Sequence, residues 1–104
     1  SAASDVYKRQ RRWRIAPNVD SETTGRPGAT DPEHVVLRQR RGLCRAVEMT
    51  TASGGVLGAC DGELTLAQIT DAVSAILEVD HDALLIEVLP LVRECLRYGI
   101  LETA

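Results

Sequence analysis

The chain has 104 residues, enough for one small domain and too few for two. Its formal net charge of −3 conceals two halves of opposite sign. Residues 1–45 hold ten Lys or Arg against five acids, and residues 46–104 hold two Arg against ten acids. No run of about 18 apolar residues occurs, so the sequence predicts no membrane-spanning helix, and its start lacks the apolar run of a secretory signal.

The N-terminal third differs in character from the rest. Residues 1–10 fit nothing that follows and resemble a translated cloning or sequencing adapter, so we expect them to lie outside the fold. The native sequence would then begin near Arg11, at a point in the middle of a longer protein. Residues 11–33 are polar, contain three prolines and two glycines, and predict a linker. We therefore expect a disordered arm before a folded domain at 34–104.

A basic cluster lies at the junction of these two segments. Between Lys8 and Arg14 the cations are interleaved with Trp13, a combination that suits a phosphate backbone. Half of the cluster belongs to the suspected adapter, however. The favoured interpretation is a solvated junction, and nucleic-acid binding is the alternative.

Residues 34–49 predict a β-hairpin. The strands are expected at 34–39 and 43–48, with a turn at 40–42 whose Gly42 takes the left-handed position. Four arginines crowd the hairpin tip and form a candidate partner-binding patch. The alternative is solubilising charge that protects a strand edge. The four are Arg38, Arg40, Arg41 and Arg45.

Three helices are expected after the hairpin. Thr50 or Thr51 caps a short helix that reaches Cys60 and contains three glycines, which predicts close packing against a neighbour. Asp61 and Gly62 then form a turn. Thr65 caps a second helix with an apolar stripe at the spacing of one helix face. That stripe consists of Leu66, Ile69, Val73, Ile76 and Leu77.

Asp80 caps the third helix, which runs to about Tyr98, and Pro90 predicts a bend or break near 87–89. Gly99 ends this helix, and residues 100–102 form a short edge strand. The predicted fold class is therefore α+β, a winged-helix-like module. Its three helices would lie on one side of a small antiparallel sheet made by 34–39, 43–48 and 100–102.

No catalytic, cofactor-binding or metal-ligating residue is predicted. Asp80-His81-Asp82 resembles a metal cluster, but consecutive residues at a helix start point in different directions, and zinc needs four convergent ligands. The glycines at 54, 55 and 58 do not form a phosphate-loop pattern. Cys44, Cys60 and Cys95 lie far apart and predict reduced thiols in a cytoplasmic setting. The third helix is acidic, which disfavours DNA recognition.

Several motifs resemble one known family. They are DPEHVVLRQRRGL at 31–43, GACDGELT at 58–65, LPLVR at 89–93 and YGIL at 98–101. Residues 17–101 are similar to the C-terminal extension of actinobacterial class I methyltransferases related to the release-factor glutamine-N5 type. The catalytic parts of that family are a Rossmann-like sheet, a Gly-rich S-adenosylmethionine loop and an Asn-Pro-Pro-Tyr motif. None of these is present in the sequence, so no site residue is carried over.

The resemblance implies a non-catalytic accessory domain of a methyltransferase. The parent protein would use S-adenosylmethionine, and the partners of this domain would be the catalytic domain and a protein or peptide substrate. The same order of elements also resembles the PqqD-like peptide chaperones, which bind a peptide along an exposed strand edge. That peptide-binding role is the alternative function, and a DNA-binding winged helix is disfavoured.

Overall fold

A computed structural model describes residues 2–24 and 34–104 of the chain. Its elements, in chain order, are α1 (Ala2–Gln10), β1 (Arg12–Ile15), β2 (Val19–Thr24), β3 (His34–Gln39), β4 (Ala46–Thr50), α2 (Thr51–Gly58), β5 (Asp61–Thr65), α3 (Leu66–Leu77), α4 (His81–Tyr98) and β6 (Leu101–Thr103). The α+β class is confirmed. The described residues hold four helices, one more than expected.

The strands form two antiparallel three-stranded sheets. One has the order β5-β1-β6 and the other the order β2-β3-β4. The expectation of a single sheet is therefore wrong, because β1 pairs with β6 and draws the C-terminal strand away from the hairpin. In the second sheet, β3 is central, and Leu37 lies opposite both Ser21 and Val47.

The expectation of a disordered arm over residues 1–33 is also corrected. Residues 12–24 supply two strands, whereas the rest of the expected linker, 25–33, lies outside the described residues. Trp13 is 3% exposed and belongs to the same core as Leu66, and its indole nitrogen donates to the Lys8 carbonyl at 3.0 Å. Helix α1 packs beside α3 and α4, so the described part of residues 1–10 lies inside the fold.

Local capping signals are confirmed at all three predicted helix starts. Thr50, Thr65 and Asp80 are the N-caps of α2, α3 and α4, and each accepts a hydrogen bond from a backbone N–H three residues on. Thr65 and Gln68 complete a reciprocal capping box. The predicted turn at Asp61 is instead the start of β5, in which Gly62 has a φ of +90°.

The apolar stripe expected in the second helix is only partly buried, and the break expected near Pro90 is absent. In α3 the buried face contains Thr70 and Ser74, whereas Ile76 is 78% exposed. The Thr70 hydroxyl donates to the Leu66 carbonyl at 2.8 Å, which satisfies this buried polar group within the helix. Helix α4 runs through Pro90 without a break. Pro90 and Ile86 are both exposed, so water can reach the carbonyl that loses its partner.

The core between the sheets and helices consists mainly of aliphatic side chains, with Trp13, Met49, Cys60 and Cys95 among them. Helix α2 lies against β3, and α4 contributes the fully buried Val88, Val92 and Cys95. At the N-terminal end of α2, the Ser53 hydroxyl donates to Glu87 at 2.7 Å, and the Thr50 hydroxyl donates to the same carboxylate oxygen. These bonds join the start of α2 to the middle of α4.

Candidate functional site

The hairpin loop between β3 and β4 has a defined shape. The Gln39 backbone N–H donates to the Arg45 carbonyl at 2.9 Å and closes residues 40–44 into a loop. Gly42 and Cys44 both have left-handed backbone, with φ of +73° and +53°. Between them Leu43 projects outward and is 79% exposed. The loop delays the start of β4 to Ala46, three residues later than predicted.

Gln39 also connects this loop to the end of α4. Its side-chain nitrogen donates to the Tyr98 carbonyl at 2.7 Å, and its side-chain oxygen accepts from the Arg45 backbone N–H at 3.1 Å. Gly99 ends α4 in left-handed backbone and donates to the last-turn carbonyls. The hairpin loop and the last turn of α4 are therefore held at a fixed separation.

A surface cleft of about 560 Å³ opens between these two segments. We call it the basic cleft, because three arginines and no carboxylate line it. Its volume falls in the range of small-ligand pockets. The lining residues are Asn18, Gln39, Arg41, Gly42, Leu43, Arg45, Arg97 and Tyr98.

The structure divides the four predicted partner-binding arginines. Arg41 and Arg45 line the basic cleft, Arg38 lies exposed on β3 outside it, and Arg40 is used within the fold. The Arg40 guanidinium donates to the Asp20 carboxylate at 2.9 Å and to the Pro17 carbonyl at 2.5 Å. Arg40 thus ties the hairpin loop to the start of β2 through these two contacts.

Sequence reasoning missed Arg97 as a member of the site. Arg97 lies in the last turn of α4, and only the tertiary fold brings it beside a loop more than fifty residues away in sequence. Its position directly before the Tyr98-Gly99 helix stop was visible in the sequence. A cation in the last turn of a helix is also expected because it interacts favourably with the helix dipole. Its presence in the sequence therefore does not by itself indicate a binding role.

Within the described part of the chain, three arginines outside the basic cleft form ion pairs that its own arginines lack. Arg14, Arg40 and Arg93 each form an ion pair with a carboxylate, at 2.6, 2.9 and 3.7 Å. Among the described residues, no carboxylate lies within 4 Å of the guanidinium groups that line the cleft. Arg45 lies over the Tyr98 ring, 5.2 Å from its centroid. A guanidinium over an aromatic ring can still donate N–H groups to an anion.

The N-terminal basic cluster does not form an open stacking surface around Trp13. The Trp13 ring is buried, its edge meets Tyr7 at a centroid distance of 6.4 Å, and Arg11 lies over Tyr7 at 5.1 Å. A base could not stack on the indole without opening the core.

The Asp80-His81-Asp82 cluster serves the helix start. Asp80 accepts from the Ala83 backbone N–H at 2.9 Å, while His81 lies 2.6 Å from Asp71 and 3.1 Å from Asp82. Within the part of the chain that the structure describes, no group of three or more His, Cys, Asp or Glu side chains is arranged to hold a metal ion.

All three cysteines are free, and only Cys44 is exposed. Burial raises the pKa of the Cys60 thiol to about 12, and the neighbouring Asp61 charge adds to the shift. Burial likewise raises the pKa of Cys95 to about 12, with smaller contributions from Glu94 and Cys60. These two thiols stay protonated at neutral pH, which removes the nucleophilic form.

Strand-edge availability matters for the alternative function. β3 is paired on both sides, by β2 and β4, so residues 34–39 offer no open edge. Across residues 2–24 and 34–104, no strand pairs with the outer edge of β4. A peptide could therefore be added only at β4 or β2 in this sheet.

In the described ranges, no helix combines the length and apolar character that crossing a bilayer requires. Comparison with known proteins finds no matching family model, no matching curated protein and no matching solved structure.

Proposed function

We propose that the chain is a non-catalytic docking domain that uses the basic cleft to bind a partner segment. The observation that carries this proposal is the set Arg41, Arg45 and Arg97, which line one cleft without a carboxylate among its lining residues. Buried or paired cations stabilise a fold, whereas unpaired cations around a concave surface are typical of a site that receives an anionic group.

The sequence resemblance gives this docking role a setting. The parent protein would be a class I S-adenosylmethionine-dependent methyltransferase of the release-factor glutamine-N5 type, located in the cytoplasm. Its catalytic domain would hold the cofactor and transfer the methyl group. The domain described here would dock the substrate or brace the catalytic domain.

The basic cleft does not suit S-adenosylmethionine itself. The cofactor carries a sulfonium cation, and the cleft offers three guanidinium groups with no carboxylate to balance them. The net charge of the cofactor at neutral pH is positive, because its sulfonium and ammonium cations outnumber its single carboxylate, so the charge of the cleft disfavours it. The residues described here therefore fit a docking role and not the holding of the cofactor.

Isothermal titration of S-adenosylmethionine into the full chain tests the assignment of roles. We expect no saturable heat, with the Trp13 emission spectrum verifying that the chain is folded. Saturable binding would place a cofactor site in this chain and overturn the proposal. Sequencing the encoding DNA upstream of Arg11 gives a second test, because the proposal requires an Asn-Pro-Pro-Tyr motif there.

The outer edge of β4 supports a second candidate, a PqqD-like peptide-binding module. An extended peptide would pair with Ala46–Thr50 and extend the β2-β3-β4 sheet. Amide shifts on titration separate the two candidates. Changes along 46–50 would favour the strand edge, and changes at 39–45 with 97–98 would favour the cleft. DNA binding stays disfavoured, because α4 carries Asp82, Glu87 and Glu94.

A further inference from the structure

We infer that the basic cleft recognises an extended, carboxylate-rich peptide segment of a partner protein that also carries an aliphatic side chain. This inference rests on the proposed docking role and specifies its ligand. It follows from the charge of the cleft, from the exposed Leu43 at its rim and from the rigidity of its two walls.

Cations are distributed unevenly along the chain. The chain is acidic overall, and residues 46–104 contain only two arginines, of which Arg93 pairs with Asp5 and Arg97 lines the cleft. Arg97 therefore joins Arg41 and Arg45 from the hairpin loop to form a local positive site. Guanidinium groups bind carboxylates through two parallel N–H donors, so the cleft favours a ligand with several carboxylates.

Leu43 supplies the apolar part of the recognition. It is the most exposed of the large apolar side chains in the described residues, at 79%, and left-handed residues flank it on both sides. Covering this side chain removes apolar surface from water, which favours a ligand with an aliphatic group beside its acids. A purely ionic ligand would leave Leu43 and the edge of Tyr98 in water.

The walls of the cleft need little rearrangement for binding. Gln39 holds the hairpin loop against the last turn of α4 through its bonds to Tyr98 and Arg45. Arg45 is additionally oriented by the Tyr98 ring. Preorganised donors lose less conformational entropy when a ligand arrives, and this increases affinity.

Fluorescence anisotropy on the full chain tests this inference. The probe is a fluorescein-labelled peptide of sequence Leu-Glu-Glu-Leu-Glu-Glu, and the comparison peptide has Gln in place of every Glu. We expect saturable binding of the acidic probe at low salt, at least tenfold weaker binding of the Gln peptide, and a loss of affinity as salt is raised.

Matched variants locate the site. Arg41→Gln and Arg97→Gln should each weaken the acidic probe about tenfold, the effect of losing one charge-assisted interaction. Leu43→Ser should weaken it several-fold. Arg38→Gln removes the same charge from an exposed position outside the cleft and should leave affinity within about twofold.

Several outcomes would overturn the inference. They are equal binding of the acidic and Gln peptides, an equal loss from Arg38→Gln and Arg97→Gln, or no saturable binding of the acidic probe. Tighter binding of a labelled twelve-nucleotide oligothymidylate would also overturn it, because the cleft would then be a nucleic-acid site. None of these results depends on S-adenosylmethionine binding, so the failure of the ligand assignment and that of the accessory-domain proposal can be told apart.

Discussion

Gly54 of α2 lies directly against Val35 of β3, so closely that a Cβ atom at position 54 would be 2.6 Å from the Val35 Cγ2 atom. This contact is the close packing that the glycine-rich helix sequence predicted. Glycine is disfavoured inside a helix, and here it lets the helix approach the sheet.

Gly54→Ala should therefore destabilise the chain by about 1–3 kcal/mol, because Val35 is 8% exposed and has little room to move. Gly58→Ala is the matched control. It adds a methyl group with nothing within 4 Å and should stabilise by up to about 1 kcal/mol through helix propensity. Urea unfolding followed by Trp13 fluorescence measures both, and equal effects of the two variants would contradict the packing argument.

Gln39→Ala should loosen the basic cleft and lower the free energy of unfolding by about 1–2 kcal/mol, because two hydrogen-bonding groups lose their partner. Amide shifts in the spectrum of the variant should concentrate at 40–45 and 97–99. Gln10→Ala, at an exposed position at the end of α1, is the control and should change neither quantity measurably. Shifts spread evenly over the molecule would argue against a local connection.

Thiol labelling should distinguish Cys44 from the other two cysteines. In the folded chain we expect Ellman's reagent to modify the exposed Cys44 rapidly and to leave Cys60 and Cys95 unmodified near pH 8, because burial keeps them protonated and inaccessible. In denaturant all three should react. Rapid modification of more than one thiol per folded chain would show that the core is open to solvent.

The raised thiol pKa values also predict a loss of stability in alkali. The ordinary thiol pKa is 9.0 and the folded values are about 12. Between these values the unfolded state releases protons that the folded state retains, so the free energy of unfolding falls as the pH rises from 9 toward 12. Well below pH 9, where the thiols are protonated in both states, they contribute no pH dependence.

Urea unfolding between about pH 8 and pH 10.5 measures this slope. The double variant Cys60→Ala/Cys95→Ala should show a shallower decline than the unsubstituted chain. Cys44→Ala, which removes the exposed thiol, is the control. Identical slopes in all three chains would mean that other groups cause the alkaline loss.

The elements predicted correctly from the sequence are those determined by neighbouring residues. The caps at Thr65 and Asp80 depend on a side chain and a backbone N–H three residues away, and the strand at 34–39 depends on its β-branched composition. Such signals are complete within a few residues. They are therefore readable without knowledge of the fold.

The errors concern pairings between distant parts of the chain. Nothing local to Arg12–Ile15 indicates that it pairs with Leu101–Thr103, and the Arg14 guanidinium binds Glu102 across 88 residues. The same reason hides Arg97, which reaches the hairpin loop only in the folded molecule. Half of the basic cleft was therefore predictable from the charge of the hairpin tip, and its opposite wall was not.

The central position of β1 also has a consequence for the order of events on the ribosome. Synthesis proceeds from the N-terminus, so β1 is made before its partners β5 and β6, which begin at Asp61 and Leu101. Until those segments emerge, β1 has both edges unpaired and Trp13 lacks much of the core that later covers it. The nascent chain should therefore bind a holding chaperone until β6 has emerged from the exit tunnel.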